Sequence, residues 1–178
     1  MRKFMPKTLT IILLALLAMV SLAACGDDSA VNGGGQSSGG GEVKAEAFVF
    51  TAGGTDILMN AEAAPIVGKL GEAISYFEAE SCAFQGTDRI YTYDGFQLNT
   101  YPLNDVDYVS SVFFTSDAVS TPEGLEIGSS KEDMLAAYGE EYTEEYDQYT
   151  YTKGDSRLVF LLEDGAVTSI EYQAVLPQ

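Results

Sequence analysis

The chain has 178 residues, 27 acidic and 9 basic, with no histidine, no tryptophan and two cysteines. The absent histidine excludes Ser-His and Cys-His nucleophile pairs and imidazole metal ligands, and two cysteines are too few for a cysteine zinc site or a disulfide framework. A net charge of −18 argues against nucleic acid as a partner, because phosphate recognition needs clustered Lys and Arg.

The chain starts with a positive cluster, Arg2, Lys3 and Lys7, followed by a run from Leu9 to Val20 that is apolar apart from Thr10. That run is too short to cross about 30 Å of hydrocarbon as a helix and fits the apolar region of a signal peptide. Next comes Leu22-Ala23-Ala24-Cys25, which resembles the lipobox of bacterial lipoproteins. The resemblance implies cleavage between Ala24 and Cys25, a lipid thioether on Cys25, and an extracytoplasmic protein anchored to the cell membrane by its N-terminus. Two acyl chains anchor stably, since each buried CH2 contributes about 0.8 kcal/mol. With residues 1–24 removed, 6 basic and 27 acidic residues remain, a net charge of −21. Such a charge opposes adsorption to anionic lipid, so the lipid itself must hold the protein at the surface.

Residues 25–46 read as the lipidated cysteine and a flexible linker, rich in Gly and Ser and almost free of large apolar side chains. The folded part is expected from about Ala47 onward, in two related halves, 47–117 and 118–178. Residues 91–114 align without gaps on 149–172, and Tyr91/Tyr149, Tyr93/Tyr151, Leu103/Leu161 and Val109/Val167 are among the identities. Each half predicts a short helix followed by antiparallel strands. In the first, Ile66, Val67 and Leu70 precede Gly71, and Pro65 predicts a helix that is shorter or starts late. In the second, Ser129 and Glu132 have capping-box spacing, Met134, Leu135 and Tyr138 form the apolar stripe, and Gly139 ends the helix. Asp94-Gly95, Lys153-Gly154-Asp155 and Glu163-Asp164-Gly165 are hairpin signals. Both alternating sets in 157–162 contain apolar residues, which predicts an unusually apolar open sheet face.

The segment from Gly124 to Gly139 resembles the helical start of a β-lactamase-inhibitor-protein-like repeat, an opening shared with outer-membrane assembly lipoproteins of the small-protein-A type. The resemblance covers about Thr55 to Tyr172 and implies an α+β fold, two tandem helix-plus-antiparallel-sheet repeats whose sheets lie side by side. The chain is also similar to uncharacterised secreted lipoproteins of Gram-positive bacteria, which share the glycine-rich tether. It departs from the inhibitors in three respects: Cys82 has no partner for their disulfides once Cys25 is lipidated, there is no tryptophan for their binding surface, and they are free secreted proteins whereas this chain is expected to be tethered.

Tyr91, Tyr93, Phe96 and Tyr101, with Tyr149 and Tyr151, are the candidate recognition surface, because tyrosine combines rigid contact area with a hydroxyl. Core and cross-strand packing is the competing role for the same rings. The acidic run Glu140, Glu141, Glu144, Glu145 and Asp147 reads as a solvated face, since no calcium-loop pattern is present. Cys82, among acids that disfavour a thiolate, reads as a small buried hydrophobe. Helix capping accounts for Ser129 and Ser130 beside Lys131 without catalysis. No metal, cofactor or catalytic residue is predicted. The expected role is a non-catalytic binding module for a protein or cell-envelope component. The alternatives are a cell-wall hydrolase using paired carboxylates and a structural envelope-assembly lipoprotein.

Overall fold

The computed structural model describes residues 46–177. The expected signal peptide, the expected cleavage site at Ala24–Cys25, the expected lipidation of Cys25 and the expected linker up to residue 45 lie outside the described residues.

A short hairpin comes first: β1 (Val49–Ala52) pairs antiparallel with β2 (Thr55–Leu58). Its two-residue turn is Gly53-Gly54, both at positive φ, where a side chain would be strained. Helix α1 (Ala63–Leu70) follows, then β3 (Ser75–Glu80), β4 (Thr87–Tyr93), β5 (Phe96–Leu103) and β6 (Val106–Phe114). Helix α2 (Lys131–Tyr138) precedes β7 (Thr143–Glu145), β8 (Gln148–Lys153), β9 (Ser156–Glu163) and β10 (Ala166–Ala174).

The last eight strands form one antiparallel sheet in the order β3-β4-β5-β6-β10-β9-β8-β7. Its centre is the pairing of β6 with β10, where Val112 faces Tyr172 and Phe113 faces Glu171. This corrects the expected fold class. The described chain is a β-rich fold with one eight-stranded sheet, and the ranges 47–117 and 118–178 are not two tandem helix-plus-sheet repeats. The physical reason lies in the central pair: Val112 and Tyr172 are both fully buried, so joining β6 to β10 removes from water two strands that would otherwise be edges. The helices are minor elements of eight residues each.

The core lies between one face of this sheet and the β1–β2 hairpin with the two helices. Phe50 of β1 fills it, its ring 5.1 Å from Phe96, 5.1 Å from Phe114 and 5.7 Å from Tyr172. Ile57, Ile66 and Met134 bring β2, α1 and α2 to the same cluster. Burying each such side chain contributes about 1.5–3 kcal/mol.

Pro65 does not shorten its helix, and α1 matches α2 in length. It occupies the third position of the first turn, where a backbone N–H has no intrahelical acceptor and its absence costs nothing. The capping box of α2 sits one residue later than its expected place. Ser130 Oγ accepts from Asp133 N at 3.1 Å, and Ser130 N donates back to Asp133 Oδ2 at 3.3 Å. The bonds from the Ser130 hydroxyl and N–H hold the Asp133 carboxyl below the usual range. Both helices stop at glycines of positive φ, Gly71 and Gly139, whose N–H groups donate to Val67 O and Leu135 O.

Candidate functional site

Cross-strand partners share a sheet face, and neighbours along a strand take opposite faces. One face carries the row Tyr76, Tyr91, Leu98, Val112, Tyr172, Leu158 and Tyr151, each paired with the next. The hairpin, α1 and α2 all pack on this side. The other face has no helix or hairpin over it among the described residues. It reads as two rows of registered partners. The first runs Ser75, Thr92, Gln97, Phe113, then Glu171, Val159, Thr150 and Thr143, across all eight strands. The second runs Phe77, Ile90, Asn99, Ser111, then Gln173, Arg157 and Thr152.

Hydroxyls and amides dominate this open face, contrary to the apolar face expected from 157–162. Leu158 and Phe160 turn to the core, and of the outward set only Leu161 is a well-exposed apolar residue, since Val159 is buried. The polar side chains bond along the face. Asn99 Nδ2 donates to Ser111 Oγ at 2.8 Å, Gln173 Nε2 to Glu171 Oε2 at 2.7 Å, and Gln148 Nε2 to Thr150 Oγ1 at 3.2 Å. Asn99 Oδ1 is buried without a hydrogen-bond partner among the described residues.

At the β7 side the face deepens into an open cleft of about 430 Å³, lined by Thr143, Gln148, Thr150, Thr152, Arg157 and Gln173 together with Glu144, Glu145 and Val159. Arg157 is exposed and forms no ion pair among the described residues, whereas Arg89 and Lys153 do. In a chain with three acids for every base, an uncommitted guanidinium on a polar sheet face is set to take a carboxylate or another planar acceptor. Glu144 and Glu145 are consecutive strand residues, so their side chains leave opposite faces. The hydroxyl of Tyr149, on the core face, donates to Glu144 Oε1 at 2.6 Å.

The six aromatic residues proposed as a recognition surface do not form one exposed patch. Tyr93, Phe96, Tyr101, Tyr149 and Tyr151 are buried, and Tyr91 is half-buried against Tyr76 at 5.1 Å. Tyr93 stacks on Phe96 at 5.1 Å. Tyr101 packs on Phe84 at 5.0 Å and donates to Asn60 Oδ1 at 3.0 Å. Tyr149 accepts from Lys131 Nζ at 2.6 Å, and its hydroxyl is raised above the usual range chiefly by the bond to Glu144. Tyr151 donates to Gly139 O at 2.8 Å, and burial pushes its hydroxyl up to about 12. Apart from Tyr101, which alternates with the core-facing Leu98 and lies outside the buried core cluster, these rings hold the core side of the sheet. Cys82, expected to be buried, is exposed in the loop that follows β3.

Sequence reasoning missed Arg157, Gln97, Asn99, Gln173, Thr150 and Thr152. The signal was the alternation itself: Gln97 and Asn99 interleave with the buried Phe96 and Leu98, as Thr150 and Thr152 do with Tyr149 and Tyr151. Among the described residues, no group of three or more acidic or cysteine side chains is placed to hold a metal ion, and no helix is long and apolar enough to cross a membrane. Compared with protein-family models, curated proteins and solved structures, the chain matches none.

Proposed function

We propose that the protein is a lipid-anchored extracytoplasmic binding module whose open sheet face takes a polar ligand, an extended protein segment or an envelope glycan. The observation that carries this reading is the open face itself. Eight strands present hydroxyls, amides and one arginine without an ion pair among the described residues, on a face opposite the one packed by the hairpin and helices. A dense row of donors and acceptors at fixed sheet spacing gives orientation and specificity, and the shallow cleft around Arg157 supplies a charged anchor. A membrane tether at Cys25 would put such a face within reach of envelope material, because a Gly- and Ser-rich coil of about twenty residues has a typical span of roughly 25 Å.

Two measurements test the parts separately. Cys25→Ala releases the protein from the membrane fraction if the anchor is a lipid on that residue; retention in the membrane fraction contradicts it. For the face, purified envelope glycan and envelope protein extract are titrated against the chain with Cys25→Ser. Arg157→Glu is expected to weaken capture at least tenfold with an unchanged melting temperature, and equal capture by the variant sinks the assignment. Release of soluble glycan fragments at catalytic amounts of protein contradicts a non-catalytic role.

A further inference from the structure

The two sides of the sheet end differently. On one side, β7 is three residues long and carries Glu144 and Glu145, which is how natural sheets discourage strand addition. On the other, β3 has six residues, all exposed, and the large apolar side chains at its start lie in water: Ile74 is 73%, Tyr76 50% and Phe77 61% exposed.

The backbone phase of this edge follows from its register. Glu80 faces Thr87, and beyond it Ser81 N donates to Gly86 O at 2.9 Å. Alternate residues of an antiparallel strand send both backbone groups to the neighbour. Ser75, Phe77 and Ala79 therefore bond to β4, and the N–H and C=O groups of Tyr76, Glu78 and Glu80 point away from the sheet. The side chains of those same three residues share one face, where the Tyr76 hydroxyl bonds to the Glu78 carboxylate and Arg89 lies 3.6 Å from it. Phe77 lies on the opposite face beside Ile90.

We propose that the β3 edge is a second binding site, which adds an extended basic segment of a partner protein as a ninth strand. Three outward pairs of backbone groups supply the ladder. Tyr76 and Phe77 supply an apolar contact on each face, and Glu80 with the partly compensated Glu78 selects Lys or Arg at alternate positions of the incoming segment. A second copy of this chain fits less well, because each copy carries a net charge of −18.

The test uses the full chain with Cys25→Ser and a fluorescein-labelled heptapeptide alternating lysine with valine and phenylalanine. Saturable anisotropy is expected, at least tenfold tighter than for the same peptide with glutamate in place of lysine. Glu78→Pro removes an outward N–H and spares the bonds to β4, so it is expected to weaken binding at least tenfold. Glu78→Gln keeps that N–H and is expected to weaken binding less than the proline does. Hydrogen exchange gives a readout independent of any variant: bound peptide slows the amides of Tyr76, Glu78 and Glu80. Equal binding of the acidic peptide, wild-type binding by a folded Glu78→Pro, unchanged exchange at those amides, or dimerisation through this edge in place of peptide binding each overturns the proposal.

Discussion

Asn60 shows how much one polar side chain holds in place. It sits at a φ of 61° between β2 and α1, and its N–H donates to Val109 O at 2.9 Å. Its side chain accepts from Tyr101 and donates to Asp155 Oδ2 at 3.2 Å, tying β5 to the β8–β9 turn. Asn60→Ala removes both contacts and puts a plain Cβ in the left-handed region, so a loss of about 1–3 kcal/mol is expected in urea unfolding. Asn60→Gly, which tolerates that φ, is expected to lose less than Asn60→Ala. An alanine variant as stable as wild type contradicts this role. At this scale the sequence was partly legible. Gly71 and Gly139 were readable as helix stops because only glycine takes that conformation cheaply. The tyrosines were readable as important but not as buried, because the same ring serves a core and an interface equally well.

At the scale of elements, three hairpin turns and both helices were readable from local pattern, while the β1–β2 hairpin at Gly53-Gly54, the turns at Asn104-Asp105 and Tyr146-Asp147, and the detailed boundaries were not. The capping box lies at Ser130 and Asp133, one step beyond Ser129 and Glu132, since several residues there can cap. The Asp94-Gly95 turn carries a second requirement that no turn signal reveals. A Cβ on Gly95 would approach Val119 Cγ1 to 2.9 Å, and Thr115 N donates to Gly95 O at 2.8 Å. The turn between β4 and β5 is thus clamped by the segment after β6. Gly95→Ala meets both a φ of 83° and this contact, and a loss of about 1–3 kcal/mol is expected by thermal or urea unfolding. Gly54, at a similar φ of 76°, has nothing within 4 Å of its Cβ position, so Gly54→Ala is expected to cost less than Gly95→Ala. Equal losses at the two sites would show that the close contact is unimportant.

For the molecule as a whole, the join between β6 and β10 turns two groups of four strands into one sheet. It was not legible, because strand periodicity shows that a face is buried but not which distant strand lies beside it. The open face was anticipated and its chemistry was misjudged, since the apolar content of β9 was weighed without the amides and hydroxyls of β5, β8 and β10. The buried tyrosines give the whole molecule an alkaline limit. Burial raises the hydroxyls of Tyr138, Tyr151 and Tyr172 above their ordinary value of 10.0, that of Tyr151 to about 12. These groups stay neutral in the folded chain while the unfolded chain ionises above about 10, so their contribution is complete below that pH and is lost as pH rises toward 12. The urea midpoint is expected to fall steadily above pH 10, and a midpoint constant from pH 9 to 12 would contradict the burial of these hydroxyls.

Binding of ligand to the open sheet face can be mapped residue by residue with nuclear magnetic resonance. On titration with envelope ligand, shifts are expected to cluster at Gln97, Asn99, Thr150, Thr152, Arg157 and Gln173, with Phe50, Ile66 and Met134 on the core side unmoved. Shifts centred on the hairpin and helices, with the open face silent, would contradict it.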